Sequence, residues 1–197
     1  MSYIDKTLIF ELDKIYFTEE GTQLEVMMNW EDSLMSASAA YVCGNGGDIL
    51  EIGFGMGISA GYIQSHSISS HTIIENHPQI ITKAQEWASG KSNVTIVSDS
   101  WYNVKDNLST YDGIFYDTYG DENNTNFSSS LSSLMKVGGK ATWWNDIPTG
   151  SNEYNIPDVE YDAIEVSYVE DELQLTYFPR PEFRLDNSNY WLPKKQF

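Results

Sequence analysis

A glycine-rich segment, ILEIGFGMGIS at residues 49–59, is the first pattern in the sequence with a chemical meaning. Glu51 is followed by glycines at every second position, Gly53, Gly55 and Gly57. Glycines between a strand and a helix let the backbone approach a ligand closely, and the helix N-terminus presents unpaired N–H groups. An acid with glycines in this spacing is typical of S-adenosylmethionine sites rather than dinucleotide sites. Taken alone, the motif also fits a tight turn that only packs on a sheet.

Polar residues follow at the ends of the next two predicted strands. Glu75 lies 24 residues after Glu51, where its carboxylate can accept hydrogen bonds from both hydroxyls of a ribose. Asp99 ends the third strand beside Ser100 and Trp101, where a polar group can meet an adenine amino group and a ring can cover the base. These positions favour a bound nucleoside.

Four segments occur in the order MMNWEDSLMSASA, LEIGFGMGI, HTIIENHP and DGIFYDTYGDE. Together they resemble guanidinoacetate N-methyltransferases and their relatives, the fungal-type protein arginine δ-N-methyltransferases, over about residues 20–145. The resemblance implies a Rossmann-like class I methyltransferase that converts S-adenosyl-L-methionine to S-adenosyl-L-homocysteine. With the glycine-rich segment, it implies cofactor contacts at Met35, Glu51, Gly53, Phe54, Gly55, Met56, Gly57, Ile58, Glu75, Asn76, Ser100 and Trp101.

The same resemblance makes Glu31 and Asp117 the pair that holds a guanidino group. A guanidinium is a planar cation whose forked donors match carboxylates, so two acids at an angle would fix its plane. Because its pKa lies above about 12, attack on a methyl group must be accompanied by proton loss. Asp117, at the end of the fourth predicted strand, is placed to accept that proton, and no metal is required. Without the resemblance, Glu31 on a helix surface would more often be a solvated charge.

Further substrate contacts are expected at Tyr119, Asn145 and Asp146, although a structural role for Tyr119 is nearly as well supported. Guanidinoacetate methyltransferases present a Leu-Thr pair whose backbone binds the substrate carboxylate, whereas this chain aligns there as Asp146 and Ile147. An acid at that place would repel the carboxylate of guanidinoacetate. A guanidine with a cationic or neutral tail, or an arginine side chain, then gains support. We favour a small substrate, because the short lead-in has no room for the additional N-terminal domain of the protein-methylating relatives.

Alternating strands and helices must position these residues. The pattern predicts one α/β domain with a doubly wound, mostly parallel seven-stranded sheet and an antiparallel C-terminal edge. Strands are expected at 48–53, 71–76, 94–99, 111–117, 140–145, 161–171 and 173–180. Helices are expected at 27–42, 58–67, 78–90 and 126–139.

The domain divides into three parts. Residues 1–26 are expected to form a hairpin or irregular lead-in that turns near Gly21 and, as a lid, folds Tyr16 and Phe17 over the site. Residues 27–150 form the cofactor-binding core, and residues 151–197 add antiparallel strands. An exposed tail with Tyr190 and Trp191 could make a homodimer contact.

Composition narrows the class of partner. Among 197 residues, 11 Lys and Arg stand against 29 Asp and Glu, a formal net charge of −18. Such a surface disfavours nucleic acid and anionic membranes and attracts cations, although acidity also serves solubility. The single cysteine, Cys43, and a start without a basic leader favour the cytoplasm. His66, His71 and His77 lack the spacing of metal ligands, and we expect them in a loop, at a strand start and at a helix start.

Two other functions fit the same motifs. One is a methyltransferase of this fold that acts on another amine or a hydroxyl group. The other is a protein that binds S-adenosylmethionine without catalysis. The presence of both acids beside the cofactor motif favours the enzyme.

Overall fold

The computed structural model of the chain describes residues 2–121, 123–145, 154–165 and 189–197. Within these ranges the strands form two sheets. In this part of the chain, no helix combines the length and the apolar character that crossing a membrane requires.

The small sheet is antiparallel and consists of β1 (Ile9–Phe10), β2 (Lys14–Glu19) and β3 (Thr22–Met28). β2 and β3 form the hairpin expected near Gly21, which adopts φ +80° in the turn. The inward-facing side chains of this sheet, among them Ile15 and Phe17, are buried.

The large sheet consists of β4 (Asp48–Ile52), β5 (Ser70–Glu75), β6 (Val94–Ser98), β7 (Tyr111–Tyr116), β8 (Met135–Trp143), β9 (Glu160–Glu165) and β10 (Asn189–Gln196). Its order in the described residues is β6-β5-β4-β7-β8-β10-β9. Neighbours from β6 to β8 are parallel, whereas β10 is antiparallel to both β8 and β9. This confirms the predicted sheet with its antiparallel C-terminal edge.

The helices of the described residues are α1 (Asp32–Val42), α2 (Ile58–Ser65), α3 (Pro78–Ala88), α4 (Trp101–Val104) and α5 (Phe127–Leu134). Pro78 opens α3 because its fixed φ suits the first helical position, and the His77 side chain accepts the Gln79 N–H at 3.3 Å. The histidines lie as expected, since His66 follows α2 and His71 is the second residue of β5.

The helix predicted at 27–42 begins later, at Asp32. Met27 and Met28 instead end β3, where they pair with β2. A short 3₁₀ turn, Asn29–Glu31, then joins the strand to α1. The cross-strand pairs of the hairpin override the helical spacing of the two methionines.

The helix predicted at 126–139 ends at Leu134, and the strand expected at 140–145 begins at Met135. Met135 pairs with Tyr111 of β7, and the two glycines bond to the C-terminus, where the Gly138 N–H donates to the Phe197 carbonyl at 2.6 Å and the Gly139 carbonyl accepts the Phe197 N–H at 3.0 Å. The two glycines therefore belong to the strand and do not end the helix.

The C-terminal strands differ from their prediction. Residues 161–165 of the strand expected at 161–171 lie in β9, whereas residues 166–171 and the strand expected at 173–180 lie outside the described residues. Because β10 lies between β8 and β9, Tyr190 is only 8% exposed and packs 5.3 Å from the ring of Trp144. The expectation of an exposed tail at Tyr190 is therefore wrong, and the homodimer that it suggested stays a prediction.

Candidate active site

Two adjoining cavities open at the carboxyl ends of β4, β5 and β7, the edge where a parallel sheet binds ligands. The first, here the loop cavity, is lined by the glycine-rich segment and includes Gly53, Phe54, Gly55, Ser59, Glu75, Asn76, Asp99 and Trp101. The second, the acidic cavity, includes Glu31, Gly120, Asn124, Trp144 and Tyr154. Both cavities are lined by Val26, Asp117, Thr118, Tyr119 and Asp121. The two cavities therefore adjoin along a common wall.

Gly53 brings the glycine-rich segment against Asp117. Its φ is +94°, and a Cβ placed there would run into the Asp117 carbonyl oxygen. A hydrogen bond joins the two backbones next to this contact, because the Asp117 N–H donates to the Ile52 carbonyl at 2.9 Å. Gly55, at φ +53°, leaves room in the same way for the sulfur of Met27. The glycines thus pack the loop closely against β7 and β3 at the wall of the cavity.

Glu75 organises the other side of this loop. One oxygen accepts the Phe54 N–H at 3.0 Å, and the other accepts the N–H groups of Asn76 and His77 at 2.9 and 2.8 Å. Burial raises the pKa of Glu75, although these backbone donors partly offset the effect. The carboxylate lines the loop cavity, as expected for a ribose contact, and also fixes the position of the loop.

Glu51 does not line the loop cavity, and its expected contact with the cofactor stays a prediction. The side chain is fully buried and accepts a hydrogen bond from the Ser59 hydroxyl. Its other oxygen lies 2.9 Å from Nε2 of His71, whose Nδ1 lies 3.3 Å from the Gln64 amide. Ser59 lines the cavity, so Glu51 acts on the site by orienting Ser59.

Only some of the remaining residues predicted to contact the cofactor line the loop cavity. Asn76, Asp99 and Trp101 line the loop cavity together with Gly53, Phe54, Gly55 and Glu75. Met35, Met56, Gly57, Ile58 and Ser100 are not part of its described wall. Met35 is fully buried in a core cluster with Leu34 and Met27, because α1 turns that face towards the sheet. Its direct contact with a cofactor stays a prediction.

The Trp101 side chain forms part of the wall of the loop cavity. The side chain is 2% exposed, and its ring packs edge-on against Tyr116 and Phe127. Its Nε1 donates to the carboxylate of Asp121. The ring is therefore held by the core while it lines the loop cavity, and its contact with a base stays a prediction.

Glu31 and Asp117 are the central pair of the acidic cavity. Glu31 lies in the 3₁₀ turn before α1, is 3% exposed, and accepts the Met28 N–H at 2.8 Å. It is therefore buried rather than solvated on a helix surface. Burial, with the charge of Asp117, raises the pKa of Glu31 well above its ordinary value.

Asp117 follows the last residue of β7 and is partly buried. Burial, followed by the charges of Glu51 and Glu75, raises the pKa of Asp117 to about 7. Two carboxylates with raised pKa values in one cavity resist carrying two negative charges together. A bound cation would remove that cost, so the arrangement is suited to a cationic ligand.

The geometry agrees with the result of sequence comparison. A family model described as guanidinoacetate N-methyltransferase matches residues 15–184. The chain belongs to the guanidinoacetate N-methyltransferase family.

The individual proteins that this chain resembles in sequence are longer than the chain. Protein arginine N-methyltransferase 2 of Aspergillus oryzae is 34% identical over 154 residues, which cover 73% of this chain and 36% of the relative. The protein of the same name from Aspergillus fumigatus is 31% identical over 219 residues, covering 99% of this chain and 50% of the relative. The chain thus spans half or less of the length of these relatives. Spermidine synthase of Thermotoga maritima shares the fold, with TM-score 0.61, 12% identity, and coverage of 92% of this chain and 65% of that one.

Of the residues predicted to contact the substrate, only some are seen to line the cavities. Tyr119 lines both cavities and packs 4.9 Å from the ring of Tyr3 and 5.9 Å from that of Phe17. Asn145 is 1% exposed, and its amide donates to the Trp191 carbonyl at 3.2 Å. Asn145 therefore faces β10, and its contact with substrate stays a prediction. Asp146 lies outside the described residues.

Several wall residues were missed by reasoning from sequence. Asp121, in the loop after β7, lines both cavities, and its position four residues after Asp117 is the signal that could have found it. Ser59 could have been found as the residue two places after Gly57. Tyr3, Trp144 and Tyr154 reach the cavities only through tertiary folding, and no local pattern marks them.

Proposed function

We propose that the protein transfers the methyl group of S-adenosylmethionine to a guanidino nitrogen of a small molecule or of an arginine. The observation that carries this proposal is the pair Glu31 and Asp117, two carboxylates of raised pKa that line one cavity beside the glycine-rich loop. The family and the names of its relatives, protein arginine N-methyltransferases, support the same reaction class.

The two carboxylates have separate roles in this reaction. Both accept N–H groups of the planar guanidinium, and together they fix its plane and direct one nitrogen towards the loop cavity. S-Adenosylmethionine, when bound, supplies a methyl group on a positively charged sulfur, which keeps the electron pair of the broken C–S bond. Asp117 accepts the proton that the nitrogen loses as its bond to carbon forms. A pKa near neutrality suits a proton acceptor, because the group can both take and release a proton at the working pH.

The described residues fit this cofactor. Gly53 and Gly55 have positive φ angles, and side chains there would collide with Asp117 and Met27 at the cavity wall. Glu75 lines the same cavity, where its carboxylate is placed for a ribose. Ser59 adds a hydroxyl group whose hydrogen is given to Glu51, so its lone pairs are free to accept from an ammonium group.

We also propose that residues 1–26 act as a lid. The loop cavity has a volume of about 60 Å³, well below the roughly 300 Å³ of small-molecule sites. Tyr3 and Val26, which belong to residues 1–26, and the next residue, Met27, form part of the cavity wall. Outward movement of the segment would therefore enlarge the cavity. Tyr16 is not part of the cavity wall. Phe17 is 4% exposed and lies in a hydrophobic core cluster.

Limited proteolysis with and without S-adenosylhomocysteine tests the lid. We expect bound S-adenosylhomocysteine to change the rate of cleavage between residues 10 and 25. Identical cleavage at saturating S-adenosylhomocysteine would contradict a lid.

Substitution of the carboxylates tests the reaction. Asp117→Asn should reduce turnover by at least about 1,000-fold while S-adenosylhomocysteine binds as before, because the amide cannot accept the proton. Glu31→Gln should raise the KM for the guanidine more than it lowers kcat. Asp106→Asn, which removes an exposed acid paired with Lys105, is the matched control and should change neither. Retained turnover in Asp117→Asn would remove Asp117 from the mechanism.

We further propose a cytoplasmic location, supported by the acidic composition and by a single cysteine, Cys43, which is buried. Fractionation of cells that express the tagged protein tests this location. Recovery in a membrane or secreted fraction would contradict it.

A further inference from the structure

Asp121 is a third carboxylate of the acidic cavity, beside Glu31 and Asp117, and it has no role in the reaction just described. It lines both the loop cavity and the acidic cavity, so it lies on the shared wall with Asp117. Among the residues that the structure describes, Glu31, Asp117 and Asp121 are the carboxylic acids of the acidic cavity, whose volume is about 250 Å³. Its described wall contains no lysine or arginine to balance them.

The carboxylate of Asp121 is held in place by the core. One oxygen accepts from the Tyr116 hydroxyl at 2.7 Å and from Nε1 of Trp101. The other accepts the Asn123 N–H at 2.8 Å. A carboxylate offers about four acceptor positions, so three donors leave room for one more. The negative charge is thus fixed on the cavity wall without a cationic partner among these contacts.

The remainder of an acceptor molecule would share the acidic cavity with this charge. If Glu31 and Asp117 hold the guanidinium, the rest of the molecule lies in the same acidic cavity. A carboxylate tail would then face a fixed negative charge, whereas a positive tail would be attracted. An uncharged tail would be neither attracted nor repelled.

We propose that Asp121 is a specificity-determining residue that selects guanidines whose far end carries a second positive charge over guanidines that end in a carboxylate. This inference rests on the proposed function, because it assumes that Glu31 and Asp117 bind the guanidinium. It assigns Asp121 to recognition of the tail and not to the transfer of the methyl group.

Three probes of equal chain length test it, namely agmatine, n-butylguanidine and guanidinobutyrate, with tails that are positive, neutral and negative. For the wild-type protein, we expect binding in the presence of S-adenosylhomocysteine, and kcat/KM for methyl transfer, to fall in that order. Asp121→Asn should reduce the preference for agmatine over guanidinobutyrate by about tenfold or more. Asp106→Asn, which removes the same charge from an exposed position, should leave the preference unchanged.

The preference ratio separates recognition from a structural role. Asp121 also ties its loop to Trp101 and Tyr116, so a purely structural loss would weaken all three probes equally. An unchanged ratio in Asp121→Asn, or a wild-type preference for guanidinobutyrate, would overturn the inference. The expected order of binding without any methyl transfer would instead contradict the proposed function and leave the charge selection by Asp121 standing.

Discussion

Glu31 and Asp117 are 86 residues apart in the chain, yet they line one cavity, and the charge of Asp117 helps to raise the pKa of Glu31. Glu31 reaches the cavity from the turn between β3 and α1, and Asp117 reaches it from the end of β7. Without a bound cation, two neighbouring buried carboxylates destabilise the fold when both are ionised. A guanidinium between them would reverse that effect.

Removing one carboxylate should stabilise the ligand-free protein at high pH. The folded-state pKa of Asp117, about 7, exceeds the ordinary value of about 3.9, so the folded state binds more protons between these limits. The free energy of unfolding therefore falls as the pH rises from about 4 to 7. We expect Asp117→Asn to gain on the order of 2 kcal/mol at pH 8 and much less at pH 5, measured by urea unfolding. A loss of stability at pH 8 would contradict the raised pKa.

Binding of a guanidine should depend on pH through the same groups. The pKa values of Glu31 and Asp117 are raised, so cation binding near neutral pH must displace a proton from the pair. Affinity should fall about tenfold per pH unit below 7 and level off above it. Calorimetry with S-adenosylhomocysteine present, in buffers of different ionisation enthalpy, measures the released proton. An affinity that does not change between pH 6 and 8, with no proton release, would contradict this prediction.

Gly53→Ala should damage the site more than its backbone angle alone explains. Gly90 has a similar φ, +83° against +94°, but has open space where a Cβ would lie, whereas Gly53 faces the Asp117 carbonyl. We expect Gly90→Ala to cost about 1 kcal/mol and Gly53→Ala about 3 kcal/mol or more, with loss of S-adenosylhomocysteine binding. Thermal unfolding and calorimetry measure both effects. Equal costs for the two variants would show that the contact with Asp117 is unimportant.

Ser59→Ala should weaken binding of the cofactor without affecting chemistry. Its hydroxyl lines the loop cavity and donates to the buried Glu51. Loss of a hydrogen bond worth about 1 kcal/mol should raise the KM for S-adenosylmethionine about fivefold, with kcat unchanged. Ser65→Ala, at the far end of α2 where the hydroxyl bonds the Tyr62 carbonyl, is the control. Equal KM values in the two variants would exclude Ser59 from the binding site.

The order of elements could be predicted from sequence because apolar strands and amphipathic helices alternate with clear breaks from Asp48 to Asn145. Boundaries failed where tertiary pairing overrode local pattern. Met27 and Met28 fall within the helix predicted at 27–42 but pair with β2, and Met135 falls within the helix predicted at 126–139 but opens β8. Neither strand pairing can be read from the segment itself.

The candidate site could be predicted only in part, for a similar reason. Glu75 and Asp117 end parallel strands, so the fold alone places them at the binding edge. The directions of side chains are not set by position in this way. Glu51 points into a buried network with His71, and Asn145 turns towards β10. These orientations depend on partners from other elements.

The most direct test of the central claim is a mass-spectrometric methyl-transfer assay with the purified protein and S-adenosylmethionine. The acceptors are guanidinoacetate, arginine, agmatine and a basic protein that contains arginine. We predict a product heavier by one methylene group on at least one guanidine, with equimolar S-adenosylhomocysteine, and no product with Asp117→Asn. Binding of S-adenosylmethionine without methylation of any guanidine, or methylation of an amine or hydroxyl group instead, would contradict the assignment of Glu31 and Asp117 to a guanidino group.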